Sequence, residues 1–493
     1  MKNILIAIRS IFKKGRHNVM KIVSLGIGLA VGLVLIAKVY FEQSYDDFYP
    51  DRDRVYQVWA KYQQNGGELK DYPQTSGGIA PTMQQQIPEI ETVTRYTSFG
   101  DWTFTMTDTK MKYSGRCIIA DSCFFDILPR PMLIGNAKEV LSTPMYVLIS
   151  SRIAKNIGGD VIGKNFTVDN SPGRTMTIGG VFEEVPENSH SRYDVIVSMA
   201  SAGRFMWEGS PTNMLGNDRY ISYVKLHKGV NPLALEEQVH TFVNSYFPPE
   251  EQQKTGFNIG FSFHELDGLH KELPQVKRMT WILSLLAFAL IFTAVMNYIL
   301  IVISSIVNRS KEVAVHKCYG ASENNIHGMM FGEALVHIVL SLILALLLIL
   351  AFRGTVEELL ATSLDSLLLS NGSLVLLGIC ILVFFVSGFM PGSLYARIPV
   401  ASAFRNYREN KRIWKKALLL VQFVATGFLV TMLVFVARQY TFMVNDRPGY
   451  AYENLAYCGL AGVDSTSRAK ILDEVMRLPG VAAATTVYQL PFE

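Results

Sequence analysis

Residues 279–322 read MTWILSLLAFALIFTAVMNYILIVISSIVNRSKEVAVHKCYGAS. From 279 to 307 there is no charged side chain, and the run exceeds the roughly 20 residues a helix needs to cross about 30 Å of hydrocarbon. Arg309, Lys311 and Lys317 follow at once, and another apolar run fills 329–352. Two spans joined by a short basic turn is the reading. Runs of the same kind occupy 22–41, 373–395 and 417–437, with Lys38 placed to carry its ammonium to the interface.

Lys and Arg in the short loops set the orientation. The N-terminal segment carries Lys2, Arg9, Lys13, Lys14, Arg16 and Lys21 and no acid. The loop after 373–395 carries Arg397, Arg405, Arg408, Lys411, Arg412, Lys415 and Lys416 against Glu409 alone. In the loop after 329–352, Arg353 is opposed by Glu357, Glu358 and Asp365. All four loops predict a cytoplasmic N-terminus with 42–278 outside. The apolar run at 22–41 is longer than the h-region of a signal peptide, and no A-x-A site follows it, so it reads as an uncleaved anchor.

Composition agrees with a membrane-embedded globular protein. Of 493 residues, 49% are hydrophobic and 18% charged, against about 25% charged in soluble domains. A net charge of +4 excludes a dedicated nucleic-acid binder, and high apolar content excludes general disorder. Five cysteines without CxxC spacing exclude a disulfide scaffold.

The expected organisation is a basic segment at 1–21, a span at 22–41, an outer domain at 42–278 and a span at 279–307. A cytoplasmic loop at 308–328 and a span at 329–352 come next. An outer loop at 353–372, a span at 373–395, a basic loop at 396–416 and a span at 417–437 complete the series. The outer domain reads as α+β, in two subdomains, with strands at 55–61, 92–97, 101–106, 112–119, 175–182, 193–197 and 220–226. Helices are expected at 79–86, 151–157 and 232–246. In the cytoplasmic loop, a helical run bracketed by Val313 and Cys318 stops at Gly320 and a new helix starts at Ser322.

Beyond residue 400 the chain begins to repeat. The basic run 405–416 before a span mirrors 9–21, and ILDEVMRLPGVAAATT at 471–486 resembles MQQQIPEIETVTRYT at 83–97, as helix, Pro-centred turn and strand. The two landmarks share one offset, which predicts a duplicated unit whose second outer domain starts within 438–493 and stops at Glu493. A complete second unit would give roughly 780–800 residues and about eight spans.

Motifs for chemistry are weak. Gly158 to Asn165 approaches the phosphate loop GxxxxGK[ST], but Asn165 replaces the magnesium-binding hydroxyl, and a turn into a strand at 165–168 is expected. His264 and His270 are six apart, wrong for a zincin helix, and read as exposed loop residues. Cys117 and Cys123 suit either a disulfide or two buried thiols. Gly28 and Gly32 form a small-residue face for close helix contact, and Asn297 is an amide inside a span that seeks a partner helix. No single span carries clustered charges, and no catalytic or metal-binding set emerges.

These features together resemble the MacB/FtsX-type permeases of ABC systems: one span, a large outer domain, three spans, and in long versions the unit twice. Arg309, Lys311, Glu312, Val313, Ala314, His316, Lys317, Gly320, Ala321 and Ser322 resemble that family's cytoplasmic signature, with His316 where Arg is commoner. In the outer domain Ala120-Asp121-Ser122-Cys123-Phe124-Phe125 resembles the A-D-x-x-F-F pattern of the MacB-like periplasmic core domain. Gly179-Gly180-Val181-Phe182 and Pro186-Glu187-Asn188-Ser189-His190 resemble its GVF and P-x-N-S-H stretches.

The resemblance, typical of the long permeases of Bacteroidetes-like bacteria, implies an α-helical inner-membrane protein with an extracytoplasmic α+β core domain. It implies a non-catalytic permease subunit, with ATP and magnesium held by a separate cytoplasmic ATPase dimer that docks on 309–322. ATP-driven movement would be transmitted outward for extrusion of a peptide, drug or lipoprotein-like substrate. Membrane lipids, a periplasmic adaptor or outer-membrane partner, and a cell-wall hydrolase are the other partners it admits. Two further readings stay open: an FtsX-like regulator of such a hydrolase, and an ATPase-independent sensor for which 309–322 is dispensable.

Overall fold

A computed structural model describes residues 17–168, 171–369, 371–396, 400, 413–445, 454–460, 463 and 465–487. The basic residues expected at 1–16 and 401–412 lie outside this set. The chain divides into a helical unit, Met1–Tyr45 with His270–Pro448, and an α/β unit, Asp46–Leu269 with Gly449–Glu493.

The helical unit contains, among the described residues, five helices long and apolar enough to cross a membrane. They are Asn18–Gln43, Pro274–Ser304, Glu323–Ala351, Ser373–Ala396 and Ile413–Asn445, called here the first to fifth helices. The second starts ahead of its apolar run because Pro274 suits the first helical turn, where an N–H is dispensable. It breaks at Ser305, whose hydroxyl turns back to the Val302 carbonyl at 2.6 Å.

Small residues set how closely the helices approach. A Cβ on Gly28 would lie 2.2 Å from the Ala294 Cβ, and one on Gly32 would lie 2.4 Å from Ile291 Cγ1. Glycine is therefore what admits the second helix against the first. Asn297 accepts from the Gln422 amide N–H of the fifth helix, so the intrahelical amide finds a partner on another helix, while Gln422 Oε1 has no donor among the described residues. Leu25, Leu29, Tyr298, Ile299, Ile326, Ile338 and Tyr395 share the buried core of this unit.

The α/β unit is organised by one eleven-stranded sheet. Its strands are β1 (Val55–Gln64), β2 (Lys70–Tyr72), β3 (Ile90–Met106), β4 (Lys112–Ala120), β5 (Met132–Ile134) and β6 (Tyr146–Ser150). β7 (Asn165–Val168), β8 (Ser171–Phe182), β9 (Val195–Ser198), β10 (Ile221–Leu226) and β11 (Phe257–Glu265) complete it. The order is β11-β1-β10-β3-β4-β9-β6-β8-β5, with β2 on β1 and β7 between β3 and β8. One core lies where helices Ile79–Gln86 and Glu236–Tyr246 cover β1, β3, β10 and β11. Two more cores form around β4, β6, β8 and β9.

The strands expected at 92–97 and 101–106 are one strand, β3. A register shift between Ser98 and Asp101 absorbs extra residues, and Gly100 takes φ +74° there. Two other expectations are corrected. His264 is not an exposed loop residue: it lies in β11, half-buried, with its ring stacked 4.2 Å from that of Trp59. His270, in the helical unit, reaches Glu42 Oε2 at 2.5 Å and stacks on Tyr45 at 3.8 Å. The alternation of Phe257, Ile259, Phe261 and Phe263 was the signal for β11. Near the C-terminus a helix forms at Ser465–Met476, but 481–487 is not a strand: among the described residues no strand pairs with it, and a ladder needs a partner. Cys117 and Cys123 are free thiols, the first fully buried.

The motifs at 120–125 and 186–190 have packing roles. The Asp121 carboxylate accepts from the Arg95 backbone N–H at 2.9 Å and its Nε at 3.2 Å; burial raises the Asp121 pKa and the Arg95 charge opposes that. Asp46, almost fully buried at φ +57°, accepts from Ser189 Oγ at 2.6 Å and the His190 N–H at 3.2 Å, with His190 Nδ1 at 2.5 Å. Asp46→Asn is expected to cost about 1–3 kcal/mol, because a carboxylate acceptor for these donors is lost in a buried setting. Thermal unfolding of the full chain in detergent checks this, and an unchanged midpoint would refute the anchoring role.

Candidate coupling site

The segment after the second helix forms its own helix, Ile306–Cys318, and the chain geometry at its end is specific. Gly320 takes φ +85°, its N–H donates to the Lys317 carbonyl at 3.0 Å, and the Ala321 N–H donates to the His316 carbonyl at 3.0 Å. This pair of bonds is a Schellman cap, which satisfies carbonyls that a helix end leaves open. Two residues on, Ser322 accepts from the Asn325 N–H and starts the third helix.

The short helix has two faces. Ser310, Val313 and Ala314 are buried, and the latter two belong to the helical core. Lys311, Val315, His316, Cys318 and Tyr319 are exposed, Tyr319 at 89%. Glu312 and Ala321 are half-buried, and the Arg309 side chain lies outside the described set. Lys317 is half-buried, and its ammonium donates to the Ala396 carbonyl at 2.7 Å, at the last residue of the fourth helix. Beside it, Tyr395 is fully buried and reaches Ser305 Oγ at 3.1 Å and the Val302 carbonyl at 3.2 Å. Short helix, second helix and fourth helix are thus tied by side-chain bonds.

The bundle also gathers charges that no single span shows. Lys21 from the first helix lies 3.9 Å from Glu333 Oε1 of the third and donates to Asn18 at 3.3 Å. One turn along the third helix, His337 Nδ1 stands 3.1 Å from the Tyr298 hydroxyl of the second. All four side chains are buried, and ionisable groups in such segments mark function by default. No single span carries a charge cluster, as expected; this group draws on three helices and forms only when they pack. Gly28, Gly32 and Asn297 pack elsewhere in the bundle, against Ala294, Ile291 and Gln422.

The loop from Gly158 to Lys164 links the helix Ser151–Ile157 to β7, with left-handed glycines at 158, 159 and 163. It is a turn. Among the described residues, no group of three or more His, Cys, Asp or Glu side chains is placed to hold a metal ion.

Comparison with known proteins places both units. Residues 20–242 match the MacB-like periplasmic core domain, and residues 284–400 match the FtsX-like permease C-terminal domain. The chain is 33% identical to a crystallised domain of a permease protein from Porphyromonas gingivalis, covering 44% of this chain and 91% of that one, with a TM-score of 0.41. The extracellular domain of the noncanonic ABC-type transporter YknZ from Gram-positive bacteria is 10% identical, covering 42% of this chain and 98% of that one, with a TM-score of 0.30. No curated protein matches the chain. Core domain first and permease domain second, together matching most of the sequence, make this chain a member of the MacB/FtsX-type ABC permeases, membrane proteins that work with an ATPase partner.

Proposed function

We propose that the chain is the permease subunit through which a separate cytoplasmic ATPase dimer drives movement of the α/β domain on the other side of the membrane. In this reading the short helix and its cap, residues 309–322, form the docking element, the N-terminus is cytoplasmic, and Asp46–Leu269 is periplasmic. The observation that carries it is the two-sided helix. Val315, His316 and Tyr319 face outward, while Lys317 and Ser305 tie the same element to the fourth helix. A push on the exposed side is passed to the second and fourth helices together. The second helix follows the domain's last strand in the chain, and the first immediately precedes the domain, so both ends of the domain are covalently attached to moving parts. The work done is extrusion of a peptide, drug or lipoprotein-like substrate.

Exposed aromatic anchors dominate protein interfaces, so Tyr319→Glu is expected to reduce ATPase docking about tenfold or more. The measurement is co-purification from native membranes with a non-hydrolysable ATP analogue, with P-loop ATPases quantified by mass spectrometry. Equal recovery with Tyr319→Glu, or no ATPase with the unaltered protein, would defeat the proposal.

A further inference from the structure

The α/β unit holds a cavity of about 240 Å³ with four arginines on its wall: Arg116, Arg130, Arg152 and Arg192. They come from separate places in the chain. Arg116 is in β4, Arg152 opens the helix Ser151–Ile157, Arg130 precedes β5, and Arg192 precedes β9. Three carboxylates share the wall, Asp101, Glu184 and Asp194. Asp194 is already occupied: Arg152 Nη2 reaches it at 2.6 Å, the Arg116 backbone N–H at 2.9 Å, and Ser150 Oγ at 3.3 Å. Glu184 stands 3.9 Å from Arg152 Nε. Asp101 is opposite Arg116 in the β3–β4 register, and the two make no ion pair among the described residues.

Arg130 is the unusual member. Only 6% of its surface is exposed, and its guanidinium sits over the rings of Phe182 (5.1 Å), Phe125 (5.7 Å), Tyr193 (5.9 Å) and Phe124 (6.0 Å). Its Nε and Nη2 have no acceptor among the described residues. Burial pulls its pKa below the usual arginine value, and the Tyr49 and Tyr193 phenols act in the other direction. Stacking on aromatic faces compensates part of the lost hydration, but N–H groups buried without acceptors are costly. Arg192 and Arg116 add two guanidinium groups at the same cavity without ion pairs of their own among the described residues.

We propose that this cavity binds the oxyanion group, carboxylate or phosphate, of a small ligand, with Arg116 and Arg192 as the contacting forks and Arg130 setting the positive field behind them. The planar fork of arginine suits both oxyanions in bidentate fashion. Asp101 and Glu184 at the same wall disfavour a further anionic group on the ligand beside the bound one.

The test uses the full chain in maltoside micelles, titrated with potassium phosphate or potassium acetate against potassium chloride at constant ionic strength. Thermal unfolding of the α/β unit is the readout. Stabilisation by one oxyanion identifies which chemistry the cavity takes, and stabilisation by both identifies a general oxyanion site. At ten times Kd the midpoint is expected to rise by roughly 3–6 °C. Arg192→Gln and Arg116→Gln should each move the titration midpoint at least about tenfold higher; Arg192 is exposed, so its replacement leaves folding intact. Arg130→Met should abolish the response. No stabilisation by either salt, or the same midpoint in Arg192→Gln and Arg116→Gln, would overturn the proposal and leave the arginines a structural cluster or an adventitious ion site only.

Discussion

Gly320→Pro is expected to eliminate ATPase-linked function while the protein still inserts in the membrane. Gly320 sits at φ +85°, whereas the proline ring fixes φ near −65°. The substitution also deletes the N–H that donates to the Lys317 carbonyl and pushes Tyr319 away from helical geometry. Local loss is about 3 kcal/mol or more, concentrated where the short helix turns into the third. Gly320→Ala is the control. Its Cβ would meet nothing within 4 Å, so only the left-handed backbone is penalised, by about 1–2 kcal/mol, and part of the function should survive. Protease protection reports insertion, and ATPase co-purification reports coupling. Full coupling in Gly320→Pro would discredit 309–322 as the docking element.

Lys21→Met is the second large effect. It removes the ammonium 3.9 Å from Glu333 and leaves a buried carboxylate without that partner among helices of low dielectric. Breaking one side of a buried pair costs about 3–5 kcal/mol, while replacing both sides with apolar groups is often neutral or better. Lys21→Met is therefore expected to destabilise the bundle strongly, and Lys21→Met with Glu333→Leu to regain most of the loss. Denaturant unfolding in micelles compares them. Equal destabilisation in single and double variants would show that Lys21 acts through packing and not through charge.

The parts of the fold that depend on local pattern were legible. The helices Ile79–Gln86 and Ser151–Ile157 carry their own apolar spacing, and Gly320 and Ser322 announce a stop and a start in any context. β6 was missed because Val147, Leu148 and Ile149 form an apolar run too short to separate from a buried helical turn. β1 runs to Gln64, past the expected end at 61, because pairing with Phe257 and Asn258 of β11, rather than propensity, sets its length. Long-range convergence was not legible at all. Lys21, Tyr298, Glu333 and His337 meet only because three helices pack, and Arg130 looks ordinary until Phe124, Phe125, Phe182 and Tyr193 close around it. Lys317 is a further case. Its signature position lies in the loop, and its bond to the Ala396 carbonyl, 79 residues away in the chain, shows only once the helices pack.

β3 is 17 residues long, roughly 55 Å of strand, and it pairs with β10 over its first part and with β4 and β7 over the rest. A single backbone therefore threads both halves of the α/β unit. Opening them like a clam would require breaking the ladder or sharpening the bulge at Gly100. The two halves of the unit consequently share one unbroken strand. In the function proposed above, movement of the helices that flank the domain in the chain is therefore delivered to one continuous sheet and not to two independently hinged halves.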